Sequence, residues 1–236
     1  MSKNFTVKLE RVVGQIKFRP TLATLGGAPR ILNDLEESFE EWSSEGNNVT
    51  LFTPTKKEFL QTTPDSITVG KESDTSRRQE LISYVDQVFT SSLTAFNIKT
   101  MHRIGFRTTL ILKSNFNYTE LVDLIYKKFY SINDRLNEIS ANEKIKDVVY
   151  ILVGESNGLA NRVHVGPTTS QESMDNFKPN FATKVTLAES NLFVDIDVYT
   201  TDVTMEDTAE TFKRASEENN RIYNELLNYL EEALWA

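Results

Sequence analysis

From Thr100 to Leu112 every second residue, His102, Ile104, Phe106, Thr108, Leu110 and Leu112, falls on one side of an extended chain, while Arg103, Gly105 and Arg107 fall on the other. A helix would spread the aliphatic groups around its axis, so the spacing predicts a strand with one apolar and one polar face. Such a strand needs a second layer to bury its apolar side. The same alternation runs through Phe5–Phe18, with a bulge expected near Arg11, and through Leu192–Thr200. Ile16, Phe18, Ile104, Phe106, Val194, Ile196 and Val198 are the expected inward set. Gln15, Lys17, Arg19, Arg103, Arg107, Asp195, Asp197 and Tyr199 are the expected outward set.

Helical spacing supplies the second layer. Ile31, Leu35, Phe39 and Trp42 predict a helix over 30–42, ended by Gly46-Asn47. Leu81, Val85, Val88, Ser92 and Phe96 predict another, with Ser76 and Gln79 at capping-box spacing. A third is expected from Asn117 or Thr119 to Tyr130, extended or broken near 131–139. A long one is expected from Thr204 to about Trp235, with Asn219 on its apolar stripe. Short strands are expected at 49–52, 58–62, 66–69, 148–153, 162–165 and 182–187. Ile16-Lys17-Phe18-Arg19 and Ile104-Gly105-Phe106-Arg107 each lie late in an opening strand, and the next helix follows each at a similar interval. The expected class is therefore α+β, with two tandem β-α-β-β-β-α halves, 1–97 and 98–236, forming a largely antiparallel sheet backed by long helices.

The net charge of −8 opposes long-range attraction to nucleic acid, and the lack of cysteine removes disulfides, thiolate catalysis and thiolate metal sites. Met1–Val13 has no apolar signal-peptide core, and no apolar run is long enough to cross a bilayer, which predicts a cytoplasmic protein without a membrane span. Gly-x-Ser-x-Gly, His-Glu-x-x-His and P-loop patterns are absent, so no catalytic residue, cofactor or metal is assigned.

The outward face is the candidate binding surface: Lys17, Arg19, Arg103, Arg107, Asp195, Asp197 and Tyr199. Guanidinium forks suit carboxylate or phosphate, whereas a cross-strand ion-pair ladder would use the same residues for structure alone. Asp195 and Asp197 could instead share a divalent ion, which nearby arginines oppose. His102, on the apolar side, and His164, ahead of Gly166-Pro167, read as structural. Gly26-Gly27 reads as a turn that could also present amides to an anion. The last helix reads as sheet-packed, or as a dimer seam with Asn219 setting register.

Arg103-Ile104-Gly105-Phe106-Arg107, with Asp195-Ile196-Asp197-Val198-Tyr199 ahead of a long C-terminal helix, resembles a sporadically distributed family of uncharacterised bacterial proteins. The resemblance implies no activity, and it suggests association with antiviral defence or mobile elements. The element order separately resembles the duplicated saddle of TATA-binding-protein-like folds, from which the acidic total departs. The expected function is a non-enzymatic interaction or regulatory module, with a protein partner or a homodimer. The alternatives are a binding domain for an anionic small molecule or nucleotide, and a metal-dependent hydrolase or transferase using Asp195 and Asp197.

Overall fold

The computed structural model describes residues 5–20, 39–74, 77–96, 100–130, 145–178, 186–204 and 207–232. The strands are β1 (Phe5–Phe18), β2 (Glu41–Glu45), β3 (Asn48–Phe52), β4 (Glu58–Thr63), β5 (Ser66–Ser73), β6 (Thr100–Ser114), β7 (Tyr150–Ser156), β8 (Leu159–Thr169) and β9 (Ser190–Thr204). The helices are α1 (Arg78–Phe96), α2 (Tyr118–Tyr130), α3 (Ser170–Phe177) and α4 (Thr208–Glu232). The class is α+β, as the alternation implies.

The strands form one antiparallel sheet in the order β2-β3-β4-β5-β1-β6-β9-β8-β7. Its centre is the β1–β6 pair, where Ile16 lies opposite Ile104. Outward from that pair, β5 and β4 follow on one side, and β9 and β8 on the other.

The expected inward set is buried without exception, from Ile16 and Phe18 to Val198. Helices α1, α2 and α4 pack on that face. Phe89 of α1 and Phe212 of α4 stack with centroids 4.1 Å apart, and Phe106 of β6 tilts against Phe212 at 5.6 Å. Gly14 of β1 makes this possible, because a Cβ there would sit 2.6 Å from the Phe212 ring. Each of these fully buried rings stabilises the fold by roughly 1.5–3 kcal/mol. Short α3 lies on the opposite face, where Phe177 packs against Leu9 and Ile111.

Several expectations are corrected. Trp42 does not close a helix; it stands 68% exposed in β2, and the rest of that expected helix before Phe39 lies outside the described residues. Gly46-Asn47 joins β2 to β3 in a two-residue hairpin, and Gly46 at φ 60° supplies the left-handed first position such a turn needs. His102 is exposed rather than core-facing, because the β1–β6 register shifts between Lys17 and Phe18 and Met101 takes the buried place opposite Phe18. Thr204 ends β9, and α4 starts at Thr208. Asn219 is no dimer seam. It is fully buried, donating from Nδ2 to the carbonyls of Phe106 and Ile196 at 3.2 and 2.9 Å. Thr186 and Leu187 are not in a strand, and 182–185, Gly26-Gly27 and Ser76 lie outside the described residues.

Candidate functional site

The face opposite the three long helices carries the expected polar residues, set there by the two-residue period of β1, β6 and β9. Gln15 lies opposite Gly105, Gly105 opposite Tyr199, and Arg107 opposite Asp197. The ion pairs run obliquely across this grid. Arg103 Nη2 donates to both Asp197 oxygens at 2.8 and 2.7 Å, while Arg107 donates from Nε and Nη2 to the Asp195 oxygens at 2.7 and 2.8 Å. Thr109 Oγ1 donates to Asp195 at 3.2 Å.

Gly105 explains how Arg103 spans four register positions. A Cβ at residue 105 would lie 3.0 Å from Arg103 Nη1 and 3.2 Å from its Cζ, so the side chain runs along the strand through the space that glycine leaves. On the way the guanidinium passes over the Tyr199 ring, 4.5 Å from its centroid, and donates to Gln15 Oε1 at 3.3 Å.

The pairs have a direction. The Arg107 side chain is 54% exposed while its partner Asp195 is 13% exposed. Arg11, bonded from Nε to Glu72 at 2.6 Å, is 20% exposed above a carboxylate that is fully covered. In both pairs the carboxylate is the more covered partner, but only Arg107 is open to solvent; Arg11 also donates from Nη2 to the Lys178 carbonyl at 2.8 Å at the end of α3. Charge-assisted bonding to Asp195 holds Arg107 firmly protonated, its pKa raised further. Lys17 and, just beyond β1, Arg19 are both exposed, and neither makes an ion pair among the described residues.

Together these side chains floor a groove of about 560 Å³, lined by Arg11, Gln15, Lys17, Arg103, Arg107 and Asp197. Asn176 of α3 walls one side, and Phe59 lies at another. Arg19 is not among its lining residues.

Three participants were not anticipated. Arg11 could have been placed by extending the alternation of β1 backwards from Gln15, whereas its buried partner Glu72 lies in β5 beyond the strand expected at 66–69. His164, expected to be structural, lies on this face opposite Asp195 and edge-on to Phe193 at 5.5 Å. Burial pushes its imidazole pKa down; Asp195 opposes this, and the Arg162 and Arg107 charges add to it. Asp195 accepts from two nitrogens of Arg107 and both Asp197 oxygens accept from the single Nη2 of Arg103, so each carboxylate is already paired with a cation whose charge opposes a shared metal ion.

No protein-family model matches the chain, and no curated protein matches it. Among solved structures, the duplicated taurocyamine kinase from Schistosoma mansoni with bound transition state analog components is similar at a TM-score of 0.41 and 9% identity. The likeness covers 97% of this chain and 33% of that one, and at this TM-score it carries no argument about fold or activity.

Proposed function

We propose that the chain is a protein-interaction module that holds an acidic segment of a partner protein in the groove of the outer sheet face. The observation that carries this reading is the layering of one pair: Asp195 is covered beneath an exposed Arg107, so an approaching group meets a cation already fixed in place. Arg107 spends Nε and Nη2 on Asp195, which leaves Nη1 for a ligand carboxylate. Lys17 adds a compact charge on the same floor. This local excess of cations stands within a net charge of −8, which favours an acidic segment short enough to stay over the groove.

The groove volume favours a second reading. At about 560 Å³ it falls in the range of small-molecule sites, so a free anion such as a nucleotide would use the same guanidinium chemistry.

Fluorescence anisotropy with a labelled oligoglutamate peptide tests the first reading. Binding that weakens with salt and drops roughly tenfold or more in a Lys17→Gln/Arg107→Gln double variant is the expected result. Binding of ATP or inorganic phosphate, lost in the same variant, with the peptide inert, would transfer the site to the second reading. If neither class binds, both readings fall.

The 1–97 and 98–236 halves are proposed to be a duplication, supported by Ile16 facing Ile104 and by the matching order of strands outward from that pair. A cytoplasmic location is proposed; among the described residues no helix is long and apolar enough to cross a membrane.

A further inference from the structure

The two ends of the sheet differ in a way that points to a second binding surface, separate from the groove. At one end β2 is fully exposed but carries Glu41 and Glu45 at its limits, and Glu41 reaches Lys56 at 3.1 Å. Charges so placed discourage another strand from adding on. At the other end β7 pairs, among the described residues, with β8 alone, in an unbroken register from Tyr150–Val165 to Ser156–Leu159. It has no proline, lysine or bulge, and its outer edge, uncovered among the described residues, is flanked by apolar groups: Ile151 is 48% exposed, Leu152 48% and Val153 69%, with Val149 at 42% just ahead. Edge strands left this bare are templates for a further strand.

We infer that β7 pairs antiparallel with β7 of a second copy, across a two-fold axis at Leu152, joining two sheets into one. An axis normal to the sheet keeps the helix-bearing faces of both copies on the same side. With Leu152 opposite itself, Ile151 meets Val153 in both directions and Tyr150 lies over Gly154, an aromatic ring against a residue that leaves it room. Glu155 then meets Val149. Moving the axis to Ile151 would set Glu155 against Asp147, a like-charge pair. Moving it to Val153 would set Glu155 against Ile151 and separate the apolar groups. The Leu152 register alone of these three opposes Ile151 to Val153 while keeping Glu155 away from Asp147, and a two-fold axis makes each such match twice, which favours a second copy over an unrelated peptide.

The helix side adds area to this contact. Tyr150 and Leu152 floor a concavity of about 650 Å³, walled by Phe129 of α2 and by Ile222, Leu226 and Tyr229 of α4. The two-fold axis sets the two concavities side by side, with Leu152 of each copy bordering both. Continuous apolar contact beyond the paired edge is what distinguishes a lasting interface from a passing one.

The absence of cysteine makes the register directly readable. Light scattering on the wild-type chain is expected to give a dimer, and Val153→Lys a monomer with unchanged far-ultraviolet circular dichroism. Leu152→Cys is expected to form a reducible cross-linked dimer on mild oxidation, and Val149→Cys, which would face Glu155, is not. A wild-type monomer overturns the inference, including one whose β7 amides resist hydrogen exchange because another part of the same chain covers the edge. So does a dimer that Val153→Lys leaves intact, or one in which Val149→Cys cross-links and Leu152→Cys does not. None of these results bears on the groove, whose cations lie on other strands.

Discussion

Arg78, the first residue of α1, reaches into the seam between the sheet and both long helices. It donates from Nη1 to Glu10 at 2.8 Å and to Thr108 at 3.2 Å, from Nη2 to Asn219 at 2.8 Å, and from Nε to Asn220 at 2.8 Å, with its guanidinium 3.9 Å from the Tyr223 centroid. The Glu10 side chain is fully covered, and its Oε2 has no hydrogen-bond partner among the described residues. Removing one member of such a pair leaves the other charge buried and uncompensated. Arg78→Ala is therefore expected to lower stability by about 3–5 kcal/mol in urea unfolding. Glu10→Leu/Arg78→Met, which replaces both charges with apolar groups, is expected to be more stable than Arg78→Ala. If the double variant is the weaker of the two, this account of the seam is wrong. Glu10 also has a pH signature. Burial raises its pKa above the ordinary 4.5, outweighing the charge and hydrogen bond of Arg78. Between 4.5 and that raised value the folded chain holds a proton that the unfolded chain has released, so stability falls as pH rises through this window. Glu10→Gln cannot titrate. Its unfolding free energy is expected to show a flatter pH dependence there than the wild type, and an unchanged slope would assign the effect to another group.

Among the elements, α3 is the one whose removal would open the groove. It is only eight residues long and is held by its start: the Thr169 side chain accepts from the Glu172 amide at 3.3 Å, and the Glu172 carboxylate accepts from the Thr169 amide at 2.9 Å. At its end Phe177 lies under the Arg11 guanidinium, 4.6 Å from centroid to Cζ. Thr169→Ala is expected to cost about 1 kcal/mol, with faster hydrogen exchange across 170–177 and none of the change reaching β1 or β6. Uniform acceleration across the sheet would show that α3 is not an independent lid on this face. This helix also marks where sequence reading stopped. β1, β6 and β9 were legible where one face is apolar and the other polar, so alternation fixes the fold layer and the polar grid there; Leu9 and Ile111, buried with Phe177 on the outer face, break that pattern. Thr169 and Glu172 do have capping-box spacing, but Gly166-Pro167 ahead of them reads as a turn. In fact Pro167 lies in β8 opposite Leu192, beyond the stretch that β7 covers, where a missing N–H leaves no ladder bond unmade. Asn157-Gly158 carried a readable hairpin signal: both residues have positive φ, and they join β7 to β8. His102 could not be placed from alternation, since a one-residue register shift reverses every side chain beyond it.

Across the whole molecule the two proposed halves share one interior. Ile16, Ile67 and Phe89 from the first belong to the same buried cluster as Ile104, Val194 and Phe212 from the second. The β1–β6 ladder runs from Phe5–Ser114 to Phe18–Met101, and Arg78 of α1 is bonded to Asn219 and Asn220 of α4. A boundary near residue 97 would thus divide the long β1–β6 ladder and the Phe89–Phe212 stack rather than pass through a thin linker. Opening either half alone would expose apolar surface on both, so partial unfolding gains chain entropy while losing burial on the half that stays folded. A single cooperative transition is therefore expected, with circular dichroism and tyrosine absorbance coincident and the calorimetric enthalpy equal to the van't Hoff value. In native-state hydrogen exchange β1, β6 and β9 should share the slowest amides at one common opening free energy, while β2 exchanges through local fraying. Two separated transitions, or slow exchange confined to β6 and β9, would mean that the second half folds by itself and that the first is added onto it.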